Sequence, residues 1–204
     1  MIMRYYMGLA VAGLIMLGLS ACSGPVENEY EWVDWKGAGE AGATGNAAGI
    51  TVEFDGDLNA NSKDDDTADD LFSGWPSTFT HEDVGVAPAG GDVLRMYGGE
   101  DTGPQTFRFS PPAHDPVIAV VSLGSTSKPA RLVFDDAVEV LVSGPGRWGG
   151  VEGALKVGED GTTVMGREAY GLVRIKGTYE RLSFDIPDYE ADYGLQIAVR
   201  QAVE

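Results

Sequence analysis

The chain has 204 residues, with 32 acidic side chains against 14 basic ones and a formal net charge of −18. A polyanion of this kind repels nucleic acid and anionic lipid head groups, which excludes partners that need a basic footprint. Its single cysteine excludes an intramolecular disulfide, so the fold must rest on a buried apolar core, for which the length suffices.

Residues 1–21 read as a secretory leader: Arg4 is the only charge, an apolar run follows from Tyr5 to Leu19, and small residues close it. A spanning helix needs about 20 apolar residues, and this run is shorter. The tetrad Leu19-Ser20-Ala21-Cys22 resembles the lipobox of bacterial lipoproteins. That resemblance implies a mature chain beginning at Cys22, with a diacylglycerol on its sulfur and an acyl chain such as palmitate on its amine. An ordinary secretory signal is the alternative; it would leave an exposed thiol, a liability outside the cell. Each buried methylene contributes about 0.8 kcal/mol, so several chains anchor firmly. Ser23, in place of Asp, resembles the outer-membrane sorting pattern. Residues 22–29 then form the lipidated cysteine with a polar tether, and residues 30–204 one domain.

Residues 49–56 alternate, with Ile50, Val52 and Phe54 on one face and Thr51 and Glu53 on the other, which predicts a half-buried strand. DVLRMYGG (92–99) and QTFRFS (105–110) read the same way, Phe107 and Phe109 sharing a face. PVIAVVSLG (116–124) is continuously apolar and suits a strand buried on both faces. ARLVFDD and VEVLVSG follow, joined by Asp135-Asp136-Ala137. In GALKVGEDGTTVMG (153–166), Asp160-Gly161 between short alternating runs signals a hairpin. GLVRIKG, RLSFDIP and GLQIAVR complete the set. The pattern predicts an all-β fold, a β-sandwich or jelly roll of about nine or ten short antiparallel strands, with a closed barrel as the alternative.

Several segments together resemble a group of secreted bacterial β-domain proteins, many of which carry a PEP-CTERM sorting tail. The likeness begins at WVDWKGAGEAGATGNAAGITVEFDG and WPSTF. It is most distinctive at HDPVIAVVSLGS, LVFDDAVEVLVSGPGRWGG and GREAYGLVRIKGTYERLSFDIPDYEADYGLQIAV. It implies a place at the cell surface or in the extracellular matrix, often beside exopolysaccharide, without an assigned activity. The end, QIAVRQAVE, departs from the sorting pattern, so the N-terminal lipid would replace a C-terminal anchor.

The acidic run FDGDLNANSKDDDTADDL offers oxygens at Asp55, Asp57, Asn59 and Asn61, then Asp66 at the twelfth position of a calcium-type loop. The fit is imperfect: Ala60 stands where Gly makes the sharp turn, and Lys63 where a ligand or water would sit. A solvated loop kept extended by its carboxylates is the alternative. His81 and His114 lack a second His or a Cys at zinc spacing, and His114 reads as a turn residue. Ser125-Thr126-Ser127-Lys128 has Ser-x-x-Lys spacing, but it follows a strand and precedes Pro129, which disfavours the helix that motif needs.

SGPGRWGG (143–150) is a Gly-rich loop holding Arg147 and Trp148. The default is that Trp148 folds back to plug one end of the sandwich; left exposed beside Arg147, it would stack on a sugar ring or another planar group. Trp32, Trp35 and Trp75 are expected in core or lid roles, and Tyr189 and Tyr193 at the core edge. The expectation is a membrane-anchored extracytoplasmic binding module, with envelope polysaccharide as partner and no enzymatic activity. A purely structural envelope lipoprotein is the second reading. A glycan hydrolase with two carboxylates is the third, since nothing in the sequence selects two carboxylates from so many.

Overall fold

A computed structural model describes residues 29–39, 42–59, 70–88 and 91–202. Residues 1–28, which hold the expected leader, Cys22 and most of the expected tether, lie outside these residues, as do Asn61 and Asp66 of the acidic run. The described residues form fourteen strands: β1 (Glu31–Trp32), β2 (Asp34–Gly39), β3 (Gly42–Ala47), β4 (Ile50–Asp55), β5 (Leu94–Gly98), β6 (Gln105–His114), β7 (Val117–Leu123), β8 (Ala130–Phe134), β9 (Val138–Gly144), β10 (Lys156–Val157), β11 (Thr163–Gly166), β12 (Ala169–Ile175), β13 (Thr178–Asp185) and β14 (Glu190–Val199). They make two antiparallel sheets packed as a sandwich. The six-stranded sheet runs β1-β14-β7-β12-β9, with β5 also on β14; the eight-stranded sheet runs β10-β11-β8-β13-β6-β4-β3-β2. Neither closes on itself, so the barrel alternative falls.

The expected nine or ten strands are too few. The segments missed are β1, β2 and β3, where DWKGAG and GATGNA carry almost no apolar alternation. Pairing with neighbours, not side-chain pattern, makes them strands. In β3 the small residues are a packing requirement: a Cβ on Gly45 would lie 2.5 Å from Val33 Cγ1 and 2.6 Å from the Asp34 carbonyl oxygen.

Where alternation is clear, it works as read. Ile50, Val52 and Phe54 point into the sandwich while Thr51, Glu53 and Asp55 face out. Phe107 and Phe109 share the inner face of β6, and Phe54, Phe134 and Phe184 join them in a run of rings 4.9–6.3 Å apart between centroids. Trp35 is buried beside this core and donates from Nε1 to Gln196 Oε1 at 2.9 Å. That bond satisfies two groups that would otherwise be costly to bury.

The continuously apolar β7 is buried on both faces, as its composition demands. Ile118 and Val120 enter the core between the sheets. Val117, Ala119 and Val121 enter a second core on the outer side of the six-stranded sheet. Residues 70–88 build that second core, contributing Leu71, Phe72, Phe79 and Val84, with Trp32 and Trp75 packed against it. Phe72 and Phe79 meet edge to face at 5.0 Å. Arg174 pins this layer to the sheet, donating to Asp83 at 2.8 Å and to Glu139 at 2.9 Å.

Candidate functional site

The second core does not cover the whole outer side of the six-stranded sheet. At one end, polar and aromatic side chains from four strands and one hairpin stand together. β5 supplies Arg95 and Tyr97, β14 supplies Glu190 and Asp192, and β7 supplies Ser122, its last residue but one. Glu168 immediately precedes β12, Tyr170 lies at its start, and Arg147 and Trp148 come from the hairpin after β9.

That hairpin is tight. Gly146 and Gly149 exchange backbone hydrogen bonds of 2.7 and 3.2 Å, which puts Arg147 and Trp148 alone at its tip. Gly146 rests against the Tyr170 ring, so closely that a Cβ would fall 2.2 Å from Tyr170 Cδ1. The Trp148 amide donates to the Tyr170 hydroxyl at 3.1 Å. The tip is therefore docked, yet its indole is 48 % exposed. The expectation that Trp148 plugs the sandwich is overturned: Tyr170 occupies the buried place, and Trp148 is held out on top of it. The guanidinium carbons of Arg95 and Arg147 lie 5.5 and 5.7 Å from the Trp148 ring centroid. Arg95 is itself held by Asp192, with Nε donating to Oδ1 at 2.8 Å and a second bond to Oδ2.

Beneath the tip is a strained network. Ser122 and Glu168 both adopt left-handed backbone conformations, at φ 61° and 51°, which non-glycine residues seldom do. Ser122 donates to Glu168 Oε1 at 2.7 Å, and the Tyr170 hydroxyl donates to the same oxygen at 2.9 Å. Burial pushes the Tyr170 hydroxyl up to about 12, so it stays protonated and keeps donating. Burial also lifts the Glu190 carboxyl above its ordinary value; the Glu168 carboxylate pushes the same way, against the amides of Gly124 and Ala191. Glu190 therefore weakens the fold as pH rises above 4.5, the ordinary glutamate value, because the native state then carries a disfavoured charge. Glu190→Gln is expected to raise the melting temperature near pH 7, with no gain at pH 4. Melting curves at the two pH values check this, and an equal shift at both would contradict it.

The other sequence-derived candidates are dispersed. Asp55 and Asp57 are exposed at the end of β4, and Asn59 is buried with its side-chain amide donating to Asp192 at 2.8 Å. Asn61 and Asp66 lie outside the described residues, and no group of three or more acidic, His or Cys side chains that could hold a metal occurs among the described ones. His114 ends β6, with Nδ1 3.1 Å from Thr178 Oγ1, whereas His81 sits in a turn. Ser125 and Lys128 close the β7–β8 turn, where the Lys128 amide donates to Ser125 Oγ at 3.1 Å, so their spacing is not that of a helix face. The expectation that Tyr189 and Tyr193 cover the core edge fails for both: Tyr193 is buried within the core, and Tyr189 is exposed.

Arg95, Ser122, Glu168, Tyr170, Glu190 and Asp192 were not singled out from sequence. Their one local signal is Gly-Arg-Glu-Ala-Tyr at 166–170, where two charged residues alone separate β11 from β12. Together these features define a β-sandwich that displays a rigid aromatic tip among ion pairs at one sheet end. Comparison with protein-family models, with curated proteins and with solved structures finds no match to this chain.

Proposed function

We propose that the domain is an extracytoplasmic binding module, anchored to a membrane through a lipid on Cys22, that takes a segment of envelope or matrix polysaccharide at the Trp148 tip. The observation that carries this reading is the docked but half-exposed indole. A large apolar ring held in the open loses little conformational entropy when it stacks on a sugar face. Asp192, Arg95 beside it and Arg147 beside the indole supply hydrogen-bonding groups for ring hydroxyls. Polysaccharide as the partner, and the outer membrane as the address, rest on the resemblances at LSAC, Ser23 and the β domain, which is analogy. The non-sequential neighbours β14-β7-β12 and β8-β13-β6 support reading the sandwich as a jelly roll.

The test is a glycan array with the soluble domain, wild type against Trp148→Ala. Binding by the wild type that the variant loses is the expected result; a blank array would leave the purely structural envelope role. Intact-mass spectrometry of native material checks the anchor. The expected species starts at Cys22 and carries diacylglycerol with an acyl chain; an unmodified thiol or a retained leader contradicts it.

One observation favours hydrolysis as a second reading. Glu190, made a weaker acid by burial, lies near Glu168, and unlike environments are how paired carboxylates divide acid and base roles. Release of reducing ends from a bound glycan, abolished in Glu190→Gln, would establish it.

A further inference from the structure

The outer face of the eight-stranded sheet carries a charge arrangement that nothing in the fold requires. Arg108 on β6 and Arg181 on β13 are direct cross-strand partners. Their neighbours Phe107, Phe109 and Leu182 point into the core, so both guanidiniums project from the outer face, and both residues are exposed. Directly opposed side chains of an antiparallel pair have Cβ atoms only about 5 Å apart, and like charges there repel. In a chain with net charge −18, carboxylate partners would be easy to provide. Yet among the described residues Arg181 has no carboxylate within ion-pairing distance and donates only to Ser183 Oγ, at 3.1 Å. Arg108 faces Glu53 as its cross-strand partner on β4 and pairs with Asp55 at 3.8 Å, too far for a hydrogen bond, so the acidic residues stand on its β4 side and none on the Arg181 side.

The surroundings are polar and shallow. On the β13 side, Thr106 Oγ1 and Ser183 Oγ lie 3.1 Å apart. On the β4 side a depression of about 370 Å³ is lined by Gly37, Gly42, Thr44, Glu53, Asp55 and Arg108. Gly37 leaves room above the sheet, since a Cβ there would meet nothing within 4 Å, while Thr44, Glu53 and Asp55 offer groups for hydroxyls. Two guanidiniums, balanced among the described residues only by Glu53 and Asp55 on the β4 side, thus sit beside a shallow polar hollow.

We propose that Arg108 and Arg181 form a second binding site, for an acidic sugar unit. An oxyanion, carboxylate or sulfate, bridges the two guanidiniums, and the hydroxyls of the same or the next ring lie over the depression. Paired guanidiniums suit an oxyanion because each offers parallel N–H donors. The bound anion also relieves the cross-strand repulsion. This site is on the opposite sheet from Trp148 and does not depend on what that tip binds.

The experiment is calorimetric titration of the soluble domain in 0.15 M NaCl, which screens the general negative field beyond about 8 Å. The probes are trigalacturonate, a sulfated disaccharide and neutral maltotriose. Wild type is expected to bind at least one acidic probe, and which one it binds identifies the oxyanion. Arg181→Gln and Arg108→Gln are each expected to weaken that binding about tenfold or more, as loss of a charged bidentate donor does. Trp148→Ala is expected to leave it unchanged. Without ligand, Arg181→Gln should melt no lower than wild type, since it removes a repulsion. Failure of both acidic probes to bind wild type overturns the proposal, as does equal affinity in Arg181→Gln. Equal affinity for maltotriose overturns it as well.

Discussion

Phe107→Ala is expected to lower unfolding stability by about 3–5 kcal/mol, the cost of emptying a large, fully enclosed aromatic site. Phe107 has no exposed surface, and its ring lies within 4.9 to 6.3 Å of Phe54, Phe109 and Phe184. These neighbours sit on three adjacent strands, β4, β6 and β13, whose hydrogen bonding limits how far they can close over a cavity. Urea denaturation should show a lower midpoint at an unchanged slope. A loss under about 1 kcal/mol would mean that the aromatic run is loosely packed.

Gly171→Ala should be comparably damaging, for a different reason. Gly171 lies on β12 between β7 and β9, with φ at 156°, and a Cβ there would fall 2.0 Å from the Val142 carbonyl oxygen. That contact is with backbone, so alanine has to push β9 away. Irregular pairing flanks the position on both sides, between Ala169 and Gly171 toward β7 and between Leu172 and Val173 toward β9. We expect a loss of about 3 kcal/mol or more, in the range of strongly disruptive backbone and packing changes. The displaced strand leads into the Trp148 hairpin, so ligand binding should fall too. Gly37→Ala is the control: a Cβ there meets nothing within 4 Å, and its effect should stay within about 0.5 kcal/mol.

What was legible in the sequence followed from local chemistry. Alternation in residues 50–55 and 105–109 gave β4 and β6 their faces, and the unbroken run at 117–123 announced a strand with apolar matter on both sides. The identity of that second layer was not legible. Residues 70–88 supply it with scattered apolar side chains and almost no regular structure, so no periodicity marks them. Parity was hidden too. Ser122, left-handed, shifts the register so that Leu123 enters the same core as Val120, although they lie three positions apart. For the site, the Gly-rich loop pointed to Arg147 and Trp148. The orientation of the indole was decided by Tyr170, which is distant in sequence and takes the buried place itself. Arg95 and Asp192 are 97 residues apart, and only the pairing of β5 with β14 brings them together.

The account turns on Trp148 as a platform and not a lid. The measurement is affinity and thermal melting of wild type and Trp148→Ala on the same samples, with a glycan that the array identifies. The platform predicts an affinity loss of about thirtyfold, near 2 kcal/mol for a central aromatic contact. It also predicts a melting temperature within about 4 °C of wild type, because the removed ring is half in solvent. A melting temperature lower by about 8 °C or more, with affinity unchanged, would make Trp148 a structural plug and contradict the proposed site.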